Sequence, residues 1–123
     1  MELESVKNLT TNKILKKKIE EINKLIEKDN YEEAYNELKG IIDILNHNFI
    51  NKYLKINVED SEPELIEKIY WEKERNLLSK MVNIRQEYKL SNNVGIHMDD
   101  LEFLALYIDD IYKYMIENYG EVI

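Results

Sequence analysis

Residues 74–91 read ERNLLSKMVNIRQEYKLS, with apolar side chains at 77, 78, 81, 82, 84 and 88. Taken at about 100° per residue, those positions gather on one side of a helix. Near the end of the stretch stands Arg85, one of only two arginines among 17 basic residues. It arrives just before Ser91-Asn-Asn-Val-Gly95, whose composition is that of a turn or loop. A long helix that stops at a marked loop sets the pattern for the whole chain, which alternates helical stripes with short polar breaks.

After the loop, Asp99-Asp-Leu-Glu102 is suited to start a last helix, with acids at its positive end. Its apolar set is Leu101, Leu104, Ile108, Ile111, Tyr112, Met115 and Tyr119. A second set, Phe103, Leu106, Tyr107 and Tyr114, covers more of its circumference. Gly120 suits a C-terminal stop. Before residue 74, Ser61-Glu-Pro-Glu64 has the form of a capping box with proline in the first turn. Leu65, Ile66, Ile69 and Tyr70 follow, and the polar run at 72–76 leaves two alternatives, one long helix over 62–91 or two with a bend.

Nearer the N-terminus, the apolar set 14, 15, 19, 22, 25 and 26 marks an amphipathic helix, with Thr10 or Thr11 as its cap. Leu3, Val6 and Leu9 suggest a frayed helical lead-in. Asn30 and Glu33 resemble a capping pair before a second stripe at 34, 35, 38, 41, 42 and 45, which continues through Phe49 towards Tyr53. Gly40 interrupts that helix, either to admit a close neighbour or as a tolerated substitution on a polar side. The expected architecture is all-α, one domain over residues 1–123, an up-and-down bundle of four long or five shorter helices.

Composition narrows the chemistry. The net charge is −8, and residues 59–123 carry the whole excess, with fifteen acids against seven bases. Such a surface repels phosphate backbones, so nucleic acid is an unfavourable partner. The basic run at 13–18 lies on a helix that also carries Glu20 and Glu21, the pattern of a solvated face. Cysteine is absent, which excludes disulfides and thiolate chemistry. No apolar run reaches the roughly 20 residues of a spanning helix, and residues 1–13 lack the apolar core of a secretory signal. The expectation is a cytoplasmic protein that does not enter the membrane.

Three scattered glycines form no phosphate loop, and no Glu-x-x-His pair is present to hold two metals in a bundle. The two histidines, His47 and His97, stand in no triad motif. His47 follows Asp43 by one helical turn, as a phosphoacceptor or, more simply, as an exposed histidine beside a carboxylate. His97, just before the last helix, is placed for a terminal-turn or capping role rather than for catalysis. Asp99, Asp100 and Glu102 offer carboxylates at a helix start, which the dipole explains better than a cation does, while Asp109 and Asp110, amid the apolar helix, are slightly more suggestive of a cation. No metal or cofactor is expected. Among nine tyrosines and one tryptophan, Tyr53, Tyr70, Trp71, Tyr107 and Tyr114 are not fully absorbed by the buried stripes. They are candidates for a protein interface, with core packing as the alternative.

The order of these features resembles the HEPN superfamily of small prokaryotic helical domains over about residues 24–116. The resemblance lies in Asp29-Asn-Tyr-Glu-Glu-Ala-Tyr35, in Leu77-Leu-Ser-Lys-Met-Val-Asn-Ile-Arg85, and in Met98-Asp-Asp-Leu-Glu102. It implies a bundle of four or five helices, often dimeric. Many such domains are ribonucleases with an Arg-x4-6-His motif at the dimer seam. Others lack the motif and serve as nucleotidyltransferase partners or binding modules. Arg85 matches the family arginine, but positions 90, 91 and 92 are Leu, Ser and Asn, and His97 lies twelve residues on. Arg75 does no better, with Lys, Met and Val at 80–82.

The expected function is therefore a non-catalytic binding module that docks a protein partner or a second copy of itself, with Arg85 at the interface. An antitoxin, immunity or nucleotidyltransferase-partner role fits that description. The alternative is a HEPN-related ribonuclease with a degenerate site in which Arg85 works with His97 or Tyr88. A phosphotransfer bundle using His47 ranks third.

Overall fold

The computed structural model describes residues 1–53, 87–89, 91–92 and 95–121, with the backbone alone for 49–53. The protein is all-α, and no strand occurs among the described residues. A short 3-10 turn at Leu9–Thr11 leads into α1, Lys13–Glu27. The second helix, α2, is Tyr31–Tyr53, and α3 is Met98–Tyr119.

Helix α1 starts where a side chain can satisfy its orphan amides. Asn12 is the cap, its Oδ1 accepting from the N–H groups of Ile14 at 2.9 Å and Leu15 at 3.2 Å. Neither Thr10 nor Thr11 takes that role. Their hydroxyls instead donate back to the carbonyls of Lys7 and Asn8. The helix ends in a Schellman turn. The Asn30 N–H donates to the Leu25 carbonyl at 2.9 Å and the Asp29 N–H to Ile26 at 3.0 Å. Asp29 pays for this turn with a φ of 58°, a left-handed conformation that Asp tolerates better than most residues.

Three residues separate α1 from α2, and the two helices pack together. Among the described residues the most extensive helix contact is between α2 and α3, so α2 packs against both α1 and α3. Leu15, Ile19, Ile22 and Ile26 of α1 are buried, while Ile14 stays exposed. The α2 stripe is buried at all six expected positions from Ala34 to Leu45. From α3 come Leu101, Leu104, Ala105, Ile108, Tyr112 and Met115. Leu3, Val6, Leu9 and Ile96 join them in one contiguous core cluster. Each large side chain removed from water there contributes roughly 1.5–3 kcal/mol.

The N-terminal segment departs from the expected frayed helix. Residues 1–8 form no regular helix, yet Leu3 and Val6 are buried and Leu9 is fully enclosed. The last helix also begins earlier than its acids suggest, because His97 rather than Asp99 is its cap residue. At its other end Gly120 adopts φ 77°, ψ −158°, a region open almost only to glycine, and its N–H closes on Ile116 at 3.0 Å. The expected connector at 57–62, the Ser61 cap and the one-or-two-helix alternative over 62–91 lie outside the described residues, apart from the helical 87–89 and 91.

Beside Gly40 there is open space among the described residues. Among the described residues, no atom lies within 4 Å of a Cβ built there. Gly40→Ala is therefore expected to stabilise the protein by about 1 kcal/mol through helix propensity. Asp29→Gly is expected to add about 0.5–1 kcal/mol by relieving the left-handed residue. Urea unfolding midpoints of the two variants check both values. A loss of stability in Gly40→Ala would mean that the side chain meets something.

Candidate functional site

Helix α3 presents three sides with different work to do. The first, Leu101 through Met115, enters the core. The second carries Glu102 and Asp109, seven residues and two turns apart, and holds the N-terminal segment. Glu102 accepts from the N–H groups of Glu4 at 2.7 Å and Ser5 at 3.0 Å. Asp109 accepts from the N–H groups of Asn8 at 2.8 Å and Leu9 at 2.9 Å, and from the Asn8 amide at 2.7 Å. On α1, Asn23 accepts the Leu3 N–H at 2.9 Å. Backbone amides that no helix satisfies thus find acceptors on two different helices.

The third side faces outward and carries Phe103, Leu106 and Tyr114, which are 40%, 51% and 45% exposed. Tyr114 meets Tyr119 edge to face, with ring centroids 6.3 Å apart. Tyr107 is half-buried and packs against the core. Of the other interface candidates, Tyr70, Trp71, Arg85 and the side chain of Tyr53 lie outside the described residues.

The start of α3 is joined to the turn that precedes it. Asp100 is almost fully buried, and its Oδ2 accepts the His97 N–H at 3.1 Å and pairs with the Lys89 ammonium. The ion pair sets the helical turn of Glu87–Lys89 against the first turn of α3, where the dipole also favours the carboxylate. Tyr88 and His97 are therefore brought to the same end of α3, both with exposed side chains. His47 is exposed on α2, as is Asp43 one turn earlier.

A wide-open cleft of about 570 Å³ lies between the first turn of α2 and the residues before α3. Asp29, Tyr31, Glu32, Glu33, Gly95 and Ile96 are among its walls. Helix N-termini attract anions, but Glu32 and Glu33 already occupy the first turn of α2. The acids reverse the sign of the site, so phosphate is repelled. Burial, then the nearby Asp29 carboxylate that accepts its hydroxyl at 3.3 Å, raises the Tyr31 phenol above its ordinary pKa. Among the described residues no group of three or more His, Asp or Glu has the arrangement of a metal site.

Two asparagines were also not singled out correctly by sequence reasoning. Asn12 caps α1 and also donates to Glu121 at 3.3 Å, tying the start of α1 to the residue after Gly120. Asn46 is buried on α2, and its amide nitrogen has no hydrogen-bond partner among the described residues. A buried amide at a stripe edge leaves no local signature. Asn12 had one, since Asn is a favoured cap, but two adjacent threonines competed for the assignment.

Comparison of the chain with family models, with curated proteins and with solved structures finds no match. No helix among the described residues is long and apolar enough to cross a membrane.

The Asp109 anchor separates two adjacent acids. Asp109→Ala removes a charged acceptor from two backbone amides, one of them buried, and should cost roughly 2–4 kcal/mol. Asp110→Ala, on the exposed side, should stay within about 0.5 kcal/mol of the parent. Denaturant unfolding gives the difference, and amide hydrogen exchange at Asn8 and Leu9 should accelerate in the first variant alone.

Tyr112 supplies a pH test. Burial raises its phenol pKa above 10.0, hydrogen bonds from the Thr11 and Asn12 side oppose the rise, and the Glu121 carboxylate adds to it. The folded protein therefore keeps a proton that the unfolded chain releases. The associated stability is complete below about pH 10 and is lost as pH rises beyond it. Unfolding free energy measured across that range should fall, and Tyr112→Phe should flatten the slope.

Proposed function

We propose that this protein is a non-catalytic helical binding module that acts through protein-protein contacts. In this proposal it is a HEPN-like cytoplasmic domain, an up-and-down bundle of four long or five shorter helices. Its role is that of an antitoxin, an immunity protein or a nucleotidyltransferase partner. The carrying observation is the outward side of α3, where three large apolar side chains meet water on a helix that also packs in the core and bonds the N-terminal segment. Large exposed aromatic and aliphatic groups grouped on one rigid element are what interfaces use as anchors.

The acids point the same way. Asp100 and Asp109 are buried, but each is held by N–H donors or by Lys89. Carboxylates fixed in structural bonds are poor candidates for moving protons. The acidic cleft and the net charge of −8 oppose RNA as a substrate.

A second reading is the degenerate ribonuclease with Arg85 and either His97 or Tyr88. What favours it is the Lys89–Asp100 pair, which puts Tyr88 and His97 at one end of α3. Incubation of the pure full-length chain with mixed RNA separates the two. The expected outcome is intact RNA, together with a stoichiometric protein complex recovered from native extract whichever component is tagged. RNA cleavage that disappears in Arg85→Ala and in His97→Ala or Tyr88→Ala would overturn the binding-module proposal.

A further inference from the structure

We propose that the outward side of α3, centred on Leu106 and Tyr114, docks a basic segment of a partner protein that presents apolar anchors between Lys or Arg side chains. The inference rests on the binding-module reading and assigns its surface and the chemistry of its partner. Positions 103, 106, 110 and 114 advance by three, four and four residues, so they form one row along the helix. Leu106 is the most exposed of its large apolar groups, and Tyr114 is held by the Tyr119 ring, which lowers the entropy lost on contact. The opposite side of the helix is packed in the core and the N-terminal segment is bonded to its flank, so the row is displayed on a fixed support.

Charge selects the occupant. Asp99, Asp110 and Glu117 are exposed on the same side as the apolar row. Lys113 is the one cation among the described residues of α3, and it lies 3.9 Å from Glu117. Two copies meeting through this side would bring Asp110 and its neighbours against the same acids, in a protein that already carries −8. Like charges brought together at an interface cost affinity, so a second copy is the unfavoured occupant. Anionic lipid and nucleic acid are repelled for the same reason. A partner with basic side chains flanking apolar ones satisfies both features of the row.

The test uses the full chain and two fluorescent four-turn amphipathic peptides, one of Leu and Lys and one of Leu and Glu. The Leu/Lys peptide should bind and weaken as salt rises, while the Leu/Glu peptide should not bind. Leu106→Ser keeps every charge and should weaken binding roughly tenfold. Asp110→Asn should weaken it less and reduce the salt dependence. Ile14→Ser, at an exposed apolar residue on α1, should leave it unchanged. Circular dichroism should show the same helix content in all variants.

Several outcomes overturn the proposal. These are failure of the Leu/Lys peptide to bind, equal binding by Leu106→Ser and the parent, or equal weakening by Ile14→Ser. A dimer in sedimentation that Leu106→Ser dissolves would assign the surface to a second copy instead. If a partner recovered from extract binds Leu106→Ser as tightly as the parent, the surface is wrong and the binding-module reading stands. Arg85-dependent RNA cleavage removes that reading itself.

Discussion

The described part of this protein depends on how Asp109 satisfies the amides of Asn8 and Leu9. A segment that buries Leu3, Val6 and Leu9 without becoming a helix leaves its N–H groups to be paired from outside. Asp109 and Glu102 do this from α3, and Asn23 does it from α1. The bonds from Glu102 and Asp109 span about a hundred positions of sequence, so they join residues 4–9 to α3. Asn12 reinforces the junction by capping α1 while reaching Glu121. The core then closes because the N-terminal apolar groups lie against the helices instead of fraying into water.

That arrangement determines what the acidic residues are for. From composition alone, five carboxylates on one helix suggest either a dipole effect or a cation. In the structure they divide by position around α3. Glu102 and Asp109 receive backbone amides, Asp100 receives Lys89 and the amide of His97, and Asp99 and Asp110 remain in solvent. The same division leaves the outward row of Phe103, Leu106 and Tyr114 bordered by the exposed acids. An apolar strip with an acidic border is a docking surface with a sign, and the sign argues against phosphate-bearing partners.

Parts of the candidate site were legible before the fold. The second apolar set on the last helix, Phe103, Leu106, Tyr107 and Tyr114, was separable from the core set by its angular position alone. Its exposure was not, because a helix covered on two sides has the same periodicity as one covered on one side. Tyr107 is half-buried against the core and Tyr114 is exposed, although both belong to that second set. His97 was placed at the right turn, and its position as the cap residue of α3 follows from Asp100 reaching back to its amide. Arg85, Tyr70 and Trp71 carried much of the functional expectation and lie outside the described residues.

Sequence alone determined the all-α class, the buried stripe of α2, most of that of α1 (Ile14 is exposed and Leu25 only partly buried), and the short turn between those helices. Those properties are local: a period of 3.6 residues, a polar break and scarce glycine and proline are complete within a few turns. The tertiary structure alone decided that residues 1–8 are anchored rather than frayed, that Asn12 outcompetes two threonines as cap, and that Asp109 and Asp110 have opposite fates. Each of those outcomes depends on a partner from a distant element. A three-residue spacing of Leu3, Val6 and Leu9 fits a helix or a buried irregular segment equally well. What separates them is whether acceptors stand opposite the backbone amides, and those acceptors come from α3, about a hundred residues away.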